Sequence, residues 1–259
     1  MPCPNNAAGA HIPGLPWSQP RVQPDRLQRR LTDHETRRLP MNATTPSTTT
    51  PRIFIVEDDD AVRESLQLVL ESLGHTVSTF ASAGAFLEKF NSDLAGCLVL
   101  DIRMPGMNGM ELQRKLNDNN SMLPIIFVTG HGDVPMAVEA MQQGAFDFIQ
   151  KPYREQQLLE KIERALQLDK ENRESLQQRQ AILAHLQELT PREMDVLLLM
   201  IEGKANKVIA ADLDISQRTV EIHRARVMEK LRANSLAHLV RMVMQIDPQV
   251  LEGLRSSAG

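Results

Sequence analysis

Residues 97–106 read Cys97-Leu98-Val99-Leu100-Asp101-Ile102-Arg103-Met104-Pro105-Gly106, an apolar run that stops on a carboxylate and gives way to a turn. Short apolar runs bounded by turn residues read as buried strands. The same pattern stands on either side of this one. Ile53-Phe54-Ile55-Val56 ends in Glu57-Asp58, a second strand covers Thr76–Phe80, Ile125–Val128 ends at Thr129, and Phe146–Ile149 leads to Lys151-Pro152. Between the first two runs, Val62, Leu66, Val69, Leu70 and Leu73 recur at helical spacing and stop at Gly74. Further helices are predicted at about Ala83–Phe90, from Asn108, over Val134–Gln143 and from Arg154. Alternating strands and helices joined by short loops predict a parallel sheet covered on both faces. Five such units make an α/β, doubly wound (βα)5 domain.

In that architecture the functional groups gather beyond the carboxyl ends of the strands. Here those ends carry Glu57, Asp58, Asp101, Thr129 and Lys151. Three acids on one rim form an oxygen-rich pocket that suits Mg²⁺, a hard cation bound by one or two carboxylates and phosphate oxygens. A carboxylate also serves as a nucleophile toward phosphorus. Phosphoryl transfer then needs alignment and charge neutralisation more than covalent help, which Mg²⁺ and Lys151 would supply while Thr129 donates a hydrogen bond. Of the neighbouring acids, Asp60 is expected to cap the next helix and Asp59 to be solvated. His131 and Asp133 are expected to be solvated and cap-forming.

The remainder of the chain is helical. A polar stretch from Glu155 to about Leu189 has Leu158, Ile162, Ala165 and Leu166 facing a core, an almost wholly polar middle (Asp169 to Gln178), and a second apolar stripe at Ile182, Leu183 and Leu186. It reads as a helix running into a linker, and the polar middle argues against a continuous coiled-coil seam. Thr190-Pro191-Arg192-Glu193 then combines an N-cap, proline at the first helical position and a capping-box acid. That helix ends at Gly203. A second covers about Asn206–Leu213, Ser216 caps a third to about Leu231, and a fourth spans Ser235 to about Met244.

Four segments of the α/β half resemble the motifs of a response-regulator receiver domain: Ile55-Val56-Glu57-Asp58-Asp59, Leu100-Asp101-Ile102-Arg103-Met104-Pro105-Gly106, Val128-Thr129-Gly130-His131 and Phe148-Ile149-Gln150-Lys151-Pro152. The resemblance implies a flavodoxin-like fold with Asp101 as phosphoacceptor. It also implies Mg²⁺ held by Glu57, Asp58, Asp101 and the backbone carbonyl of Arg103, a switch pair of Thr129 and Phe148, and Lys151 as partner of the phosphoryl group. Glu57 stands where most relatives carry Asp; it keeps the charge on a longer arm. Residues 190–246 resemble a LuxR-type helix-turn-helix through Leu189-Thr190-Pro191-Arg192-Glu193, Gly203-Lys204-Ala205-Asn206-Lys207-Val208-Ile209-Ala210, Thr219-Val220-Glu221-Ile222-His223 and Lys230-Leu231. Together they are similar to the NarL/FixJ family, in its FixJ-like subgroup. That implies a sensor histidine kinase as partner, phosphorylation-promoted homodimerisation through the fourth helix, Phe148 and the fifth helix, and binding of promoter DNA to control transcription, with RNA polymerase as a further partner.

In such domains the third helix enters the major groove. Helical spacing puts Val220, His223, Val227 and Leu231 on one packed stripe. The opposite face offers Arg218, Glu221, Ile222 and Ala225 to base edges, and Lys204, Lys207, Arg224, Arg226 and Lys230 are assigned to phosphates. Over residues 216–232, five basic residues face two acids, a net of +3 within a chain of net charge −4.

The expected divisions are an extension at 1–51, a receiver domain at 52–168, a helical linker at 169–188, the DNA-binding domain at 189–247 and a flexible tail at 248–259. The extension is rich in proline and lacks periodicity, so it is expected to be disordered. Met41 is a candidate translation start, which an N-terminal peptide from residues 1–40 of the native protein would exclude; a basic DNA-contacting arm is the alternative. No apolar run reaches the ~18 residues of a membrane span. Cys3 and Cys97 form no metal or disulfide pattern, which points to the cytoplasm. Two rivals differ in class. A protein-interaction module with a non-DNA-binding output would fail a promoter shift assay, and a magnesium phosphatase would need a second acid as proton donor and a substrate cap, neither of which the sequence offers.

Overall fold

The structure, a computed structural model, describes residues 50–130 and 134–257. Expectations for the N-terminal extension, His131 and Asp133 lie outside these residues. Five parallel strands, β1 (Arg52–Val56), β2 (Val77–Phe80), β3 (Gly96–Asp101), β4 (Ile125–Thr129) and β5 (Asp147–Gln150), form one sheet of order β2-β1-β3-β4-β5. Ile53 pairs with Cys97 and Leu98 with Ile125. The flavodoxin-like α/β expectation therefore holds, with β5 shifted one residue along the chain.

Successive strand residues point to opposite faces, and both faces are buried. Phe54, Val56, Leu98, Leu100 and Phe127 pack under α2 (Ala83–Lys89), α3 (Gly109–Asp118) and α4 (Val134–Gln142). Ile53, Ile55, Cys97, Val99, Ile126 and Val128 pack under α1 (Asp60–Ser72) and α5 (Glu155–Gln187). This explains why the strands read as unbroken apolar runs. Cys97 is a buried hydrophobe, its thiol pushed up by burial and by the nearby Asp169 carboxylate. The cap of α1 is Asp59, whose carboxylate accepts from the Val62 amide at 3.1 Å, and Asp60 is the first helical residue. Asp59 is exposed as expected, and it also takes the capping role expected of Asp60.

The fifth helix runs unbroken for 33 residues. Its polar middle is not simply solvated. Asp169 is buried and its Oδ2 accepts from the Gly96 amide at 2.8 Å and from Arg173 Nε at 2.8 Å. Arg173 also donates to the carbonyls of Asp93, at 3.2 Å, and Leu94. Gly96 has φ +131°, and a Cβ there would lie 1.8 Å from the Arg52 carbonyl oxygen, so only glycine lets β3 start beside β1. The α/β domain therefore grips the helix through Arg173, beyond the boundary drawn at 168. Farther along, Ile182, Leu186 and Leu189 enter a second core.

That core belongs to α6 (Pro191–Ile201), α7 (Asn206–Asp212), α8 (Gln217–Lys230), α9 (Leu236–Val243) and α10 (Pro248–Ser257). The tenth helix corrects the expected tail. Val250 and Leu251 are buried and Leu254 packs beside them, while Arg255 pairs with Asp195 of α6 at 3.1 Å. An apolar edge of three residues was too short to register as a helical period. Among the described residues, no helix is long and apolar enough to cross a membrane.

Candidate functional site

The rim above the strand ends collects the expected groups. Glu57 and Asp58 follow β1, Asp101 and Thr129 close β3 and β4, and Lys151 follows β5. Ligand oxygens of Glu57, Asp58 and Asp101 all lie within 4.8 Å of one another; the first and last are buried and Asp58 is exposed. The Lys151 ammonium donates to Glu57 Oε2 at 2.8 Å and reaches Asp101 Oδ1 at 3.5 Å. Burial, then the Glu57 charge, pushes the Asp101 carboxyl up to about 6, against the pull of Lys151. Burial alone would lower the Lys151 ammonium, but its hydrogen bond to Glu57 and the charge of Asp101 raise it.

Three convergent carboxylates with no buried nitrogen or sulfur donor among them fit a hard divalent cation such as Mg²⁺. Arg103 is exposed in the loop two residues past Asp101. Thr129 is buried, its hydroxyl donating at 3.4 Å to the Ile149 carbonyl, and Phe148 is half-buried against the core under α3 and α4. The Lys151 amide donates to the Thr129 carbonyl at 2.7 Å, tying the ends of β4 and β5 together.

Two supporting residues carry no sequence signal of their own. Gly109 opens α3 so close to β3 that a Cβ would stand 2.3 Å from the Asp101 carbonyl oxygen. Arg63, in the first turn of α1, donates through Nη1 to the Glu57 carbonyl at 2.8 Å and the Asp58 carbonyl at 3.4 Å, and pairs through Nη2 with Asp60.

The second site lies on α7 and α8, joined by a short turn in which Asp214 takes φ +52°. Val220, Val227 and Leu231 are buried, and His223 beside them is half-buried with Nδ1 lacking a hydrogen-bond partner. Arg218, Glu221, Ile222, Ala225 and Arg226 are exposed on α8, Arg224 is half-buried, and Lys207 is exposed on α7. Lys204 is engaged by Asp212 at 2.8 Å and Glu202 at 3.1 Å, an exposed arrangement. Lys230, expected at phosphate, has protein partners in the structure. Its ammonium donates to the buried Glu193 carboxylate at 2.7 Å and to the Glu188 carbonyl at 2.8 Å. It ties α8 to α6 and the end of α5. Burial opposes ionisation of Glu193, but Lys230 and the Thr190 capping box outweigh it and hold the carboxyl low.

Residues 53–163 match the family model of the response regulator receiver domain, and residues 187–243 that of the bacterial regulatory proteins of the luxR family. The chain is 44% identical over 198 residues to the transcriptional regulatory protein FixJ of Bradyrhizobium diazoefficiens, covering 76% of this chain and 97% of FixJ. It is 42% identical over 194 residues to the response regulator protein TodT of Pseudomonas putida, covering 75% and 86%. Among solved structures, the response regulator StyR aligns at a TM-score of 0.70 with 46% identity, over 76% of this chain and all of that one. The chain therefore belongs to the NarL/FixJ family of two-component response regulators, in which a receiver domain and a LuxR-type DNA-binding domain control transcription.

Proposed function

We propose that Asp101 accepts a phosphoryl group from a sensor histidine kinase and that this switches promoter binding by α8. The observation that carries the reading is the buried Asp101 carboxylate at the end of β3, with two acids within 4.8 Å and the Lys151 ammonium at 3.5 Å. An Asp101 carboxylate oxygen attacks the phosphorus of the kinase's phosphohistidine. The P–N bond breaks, and the imidazole nitrogen leaves with the electron pair and takes up a proton. Glu57 and Asp58, with Asp101 and the Arg103 carbonyl, would hold Mg²⁺, which supplies charge neutralisation at the phosphoryl oxygens. Lys151 adds the second positive charge by leaving Glu57 for a phosphoryl oxygen. The Thr129 hydroxyl turns from the Ile149 carbonyl toward the same group, and Phe148 follows into the space it vacates.

The altered surface of α4, β5 and α5 then pairs two copies of the chain. Arg218, Glu221, Ile222 and Ala225 read base edges. Arg226, Arg224, Lys207 and Lys204 meet phosphates, with Lys204 first exchanging its carboxylate partners for phosphate. The bound dimer contacts RNA polymerase and activates transcription in the cytoplasm. The receiver's own chemistry is limited to gaining and slowly losing its phosphoryl group. An electrophoretic shift assay tests the reading: a small-molecule phosphodonor with Mg²⁺ should tighten promoter binding by the wild-type chain and not by Asp101→Asn. Equal stimulation of both would refute it.

A further inference from the structure

Glu57 and Asp58, on the loop after β1, converge on Asp101 at the end of β3, and the three acids repel one another. Three carboxylates with oxygens within 4.8 Å gain by moving apart, and Asp58 is exposed enough to do so. Backbone contacts oppose this. The Glu57 amide donates to the Phe80 carbonyl at 3.2 Å, and Asp59 is held by capping α1. The carbonyls of Glu57 and Asp58 are both taken by Arg63.

Arg63 is not placed there by helix electrostatics. A cation in the first turn of a helix faces the positive end of the dipole and is disfavoured. Yet its side chain is only 15% exposed and turns back over the helix end to the loop. The planar fork of guanidinium suits this task, since one nitrogen bridges two successive carbonyls while the other meets Asp60.

We infer that Arg63 is a positioning residue for the divalent cation, holding the Glu57–Asp58 backbone so that both carboxylates converge on Asp101. This rests on the phosphoacceptor reading above. It also has an opposite in simple electrostatics. If the guanidinium acted only through its charge, it would repel Mg²⁺, and removing it would tighten binding. If it only filled unpaired carbonyls, removing it would lower stability and leave the cation affinity alone.

The test is a Mg²⁺ titration of the full chain followed by backbone amide NMR shifts at residues 57, 58 and 101, with the melting temperature of each variant alongside. Arg63→Met should weaken Mg²⁺ binding about tenfold or more, the range for lost outer-shell partners. Arg63→Lys, which keeps the charge but not the fork, should fall between. Mg²⁺ binding by Arg63→Met as tight as, or tighter than, the wild type overturns the inference and leaves the pocket's assignment intact. Absence of any Mg²⁺-dependent shift in the wild type overturns both.

Discussion

Asp101 is held by the fold in a state that favours its proton. Its carboxyl lies at about 6 instead of the usual 3.8, because it is buried beside Glu57. Between those values the folded chain retains a proton that the unfolded chain releases. That stability is present at low pH and is lost as pH rises through about 6. The shift corresponds to at most about 3 kcal/mol at neutral pH. Asp101→Asn is therefore expected to melt higher than the wild type at pH 7.5 without divalent cation, and the gap should close toward pH 4 and on adding Mg²⁺ to the wild type. Thermal unfolding curves at the two pH values check this; a mutant no more stable at pH 7.5 would contradict it. Glu57 matters to the same balance. Its longer arm brings its carboxylate to 2.8 Å from Lys151, so the ammonium pairs more closely with Glu57 than with the phosphoacceptor.

At the scale of elements, two ion pairs determine how helices are held. Lys230 joins the end of α8 to Glu193 of α6 and to the end of α5. Losing one partner of a buried pair costs 3–5 kcal/mol, and with Lys230 about a third exposed the expected loss for Lys230→Met is about 2 kcal/mol. DNA affinity should fall with it, while the salt dependence of binding stays as in the wild type if Lys230 serves only this pair. A slope shallower by about one would instead restore Lys230 to the phosphate set. Along α5, Asp169 and Arg173 hold the linker helix to the root of β3, the strand that carries Asp101 at its other end. Arg173→Ala should speed hydrogen exchange at the Gly96 amide and through residues 169–181, leaving amides around Ile162 protected. Unchanged exchange at Gly96 would show that the contact contributes nothing.

Over the whole molecule, a chain of net charge −4 carries a local excess of basic residues at 216–232, five against two acids. Exposed Arg226 lies on the free face of α8, so Arg226→Ala should weaken binding to all sequences and flatten the salt dependence by about one. Titrations at several salt concentrations decide it, and an unaltered slope would remove Arg226 from the interface. The sequence alone determined the five-stranded α/β domain, the five strand-end groups and the packed stripe Val220, Val227 and Leu231. These follow from periods of two and 3.6 residues and from where apolar runs stop, all of which are local. Only the tertiary structure decided that Lys151 lies against Glu57, that Asp169 belongs to β3, that Arg63 holds the acidic loop by its carbonyls, and that Lys230 serves Glu193. Those partners stand 94, 73, 6 and 37 residues apart. A polar side chain carries no mark of which distant atom will satisfy it. The same holds for α10, whose short apolar edge becomes a helix face only because α6 is there to cover it.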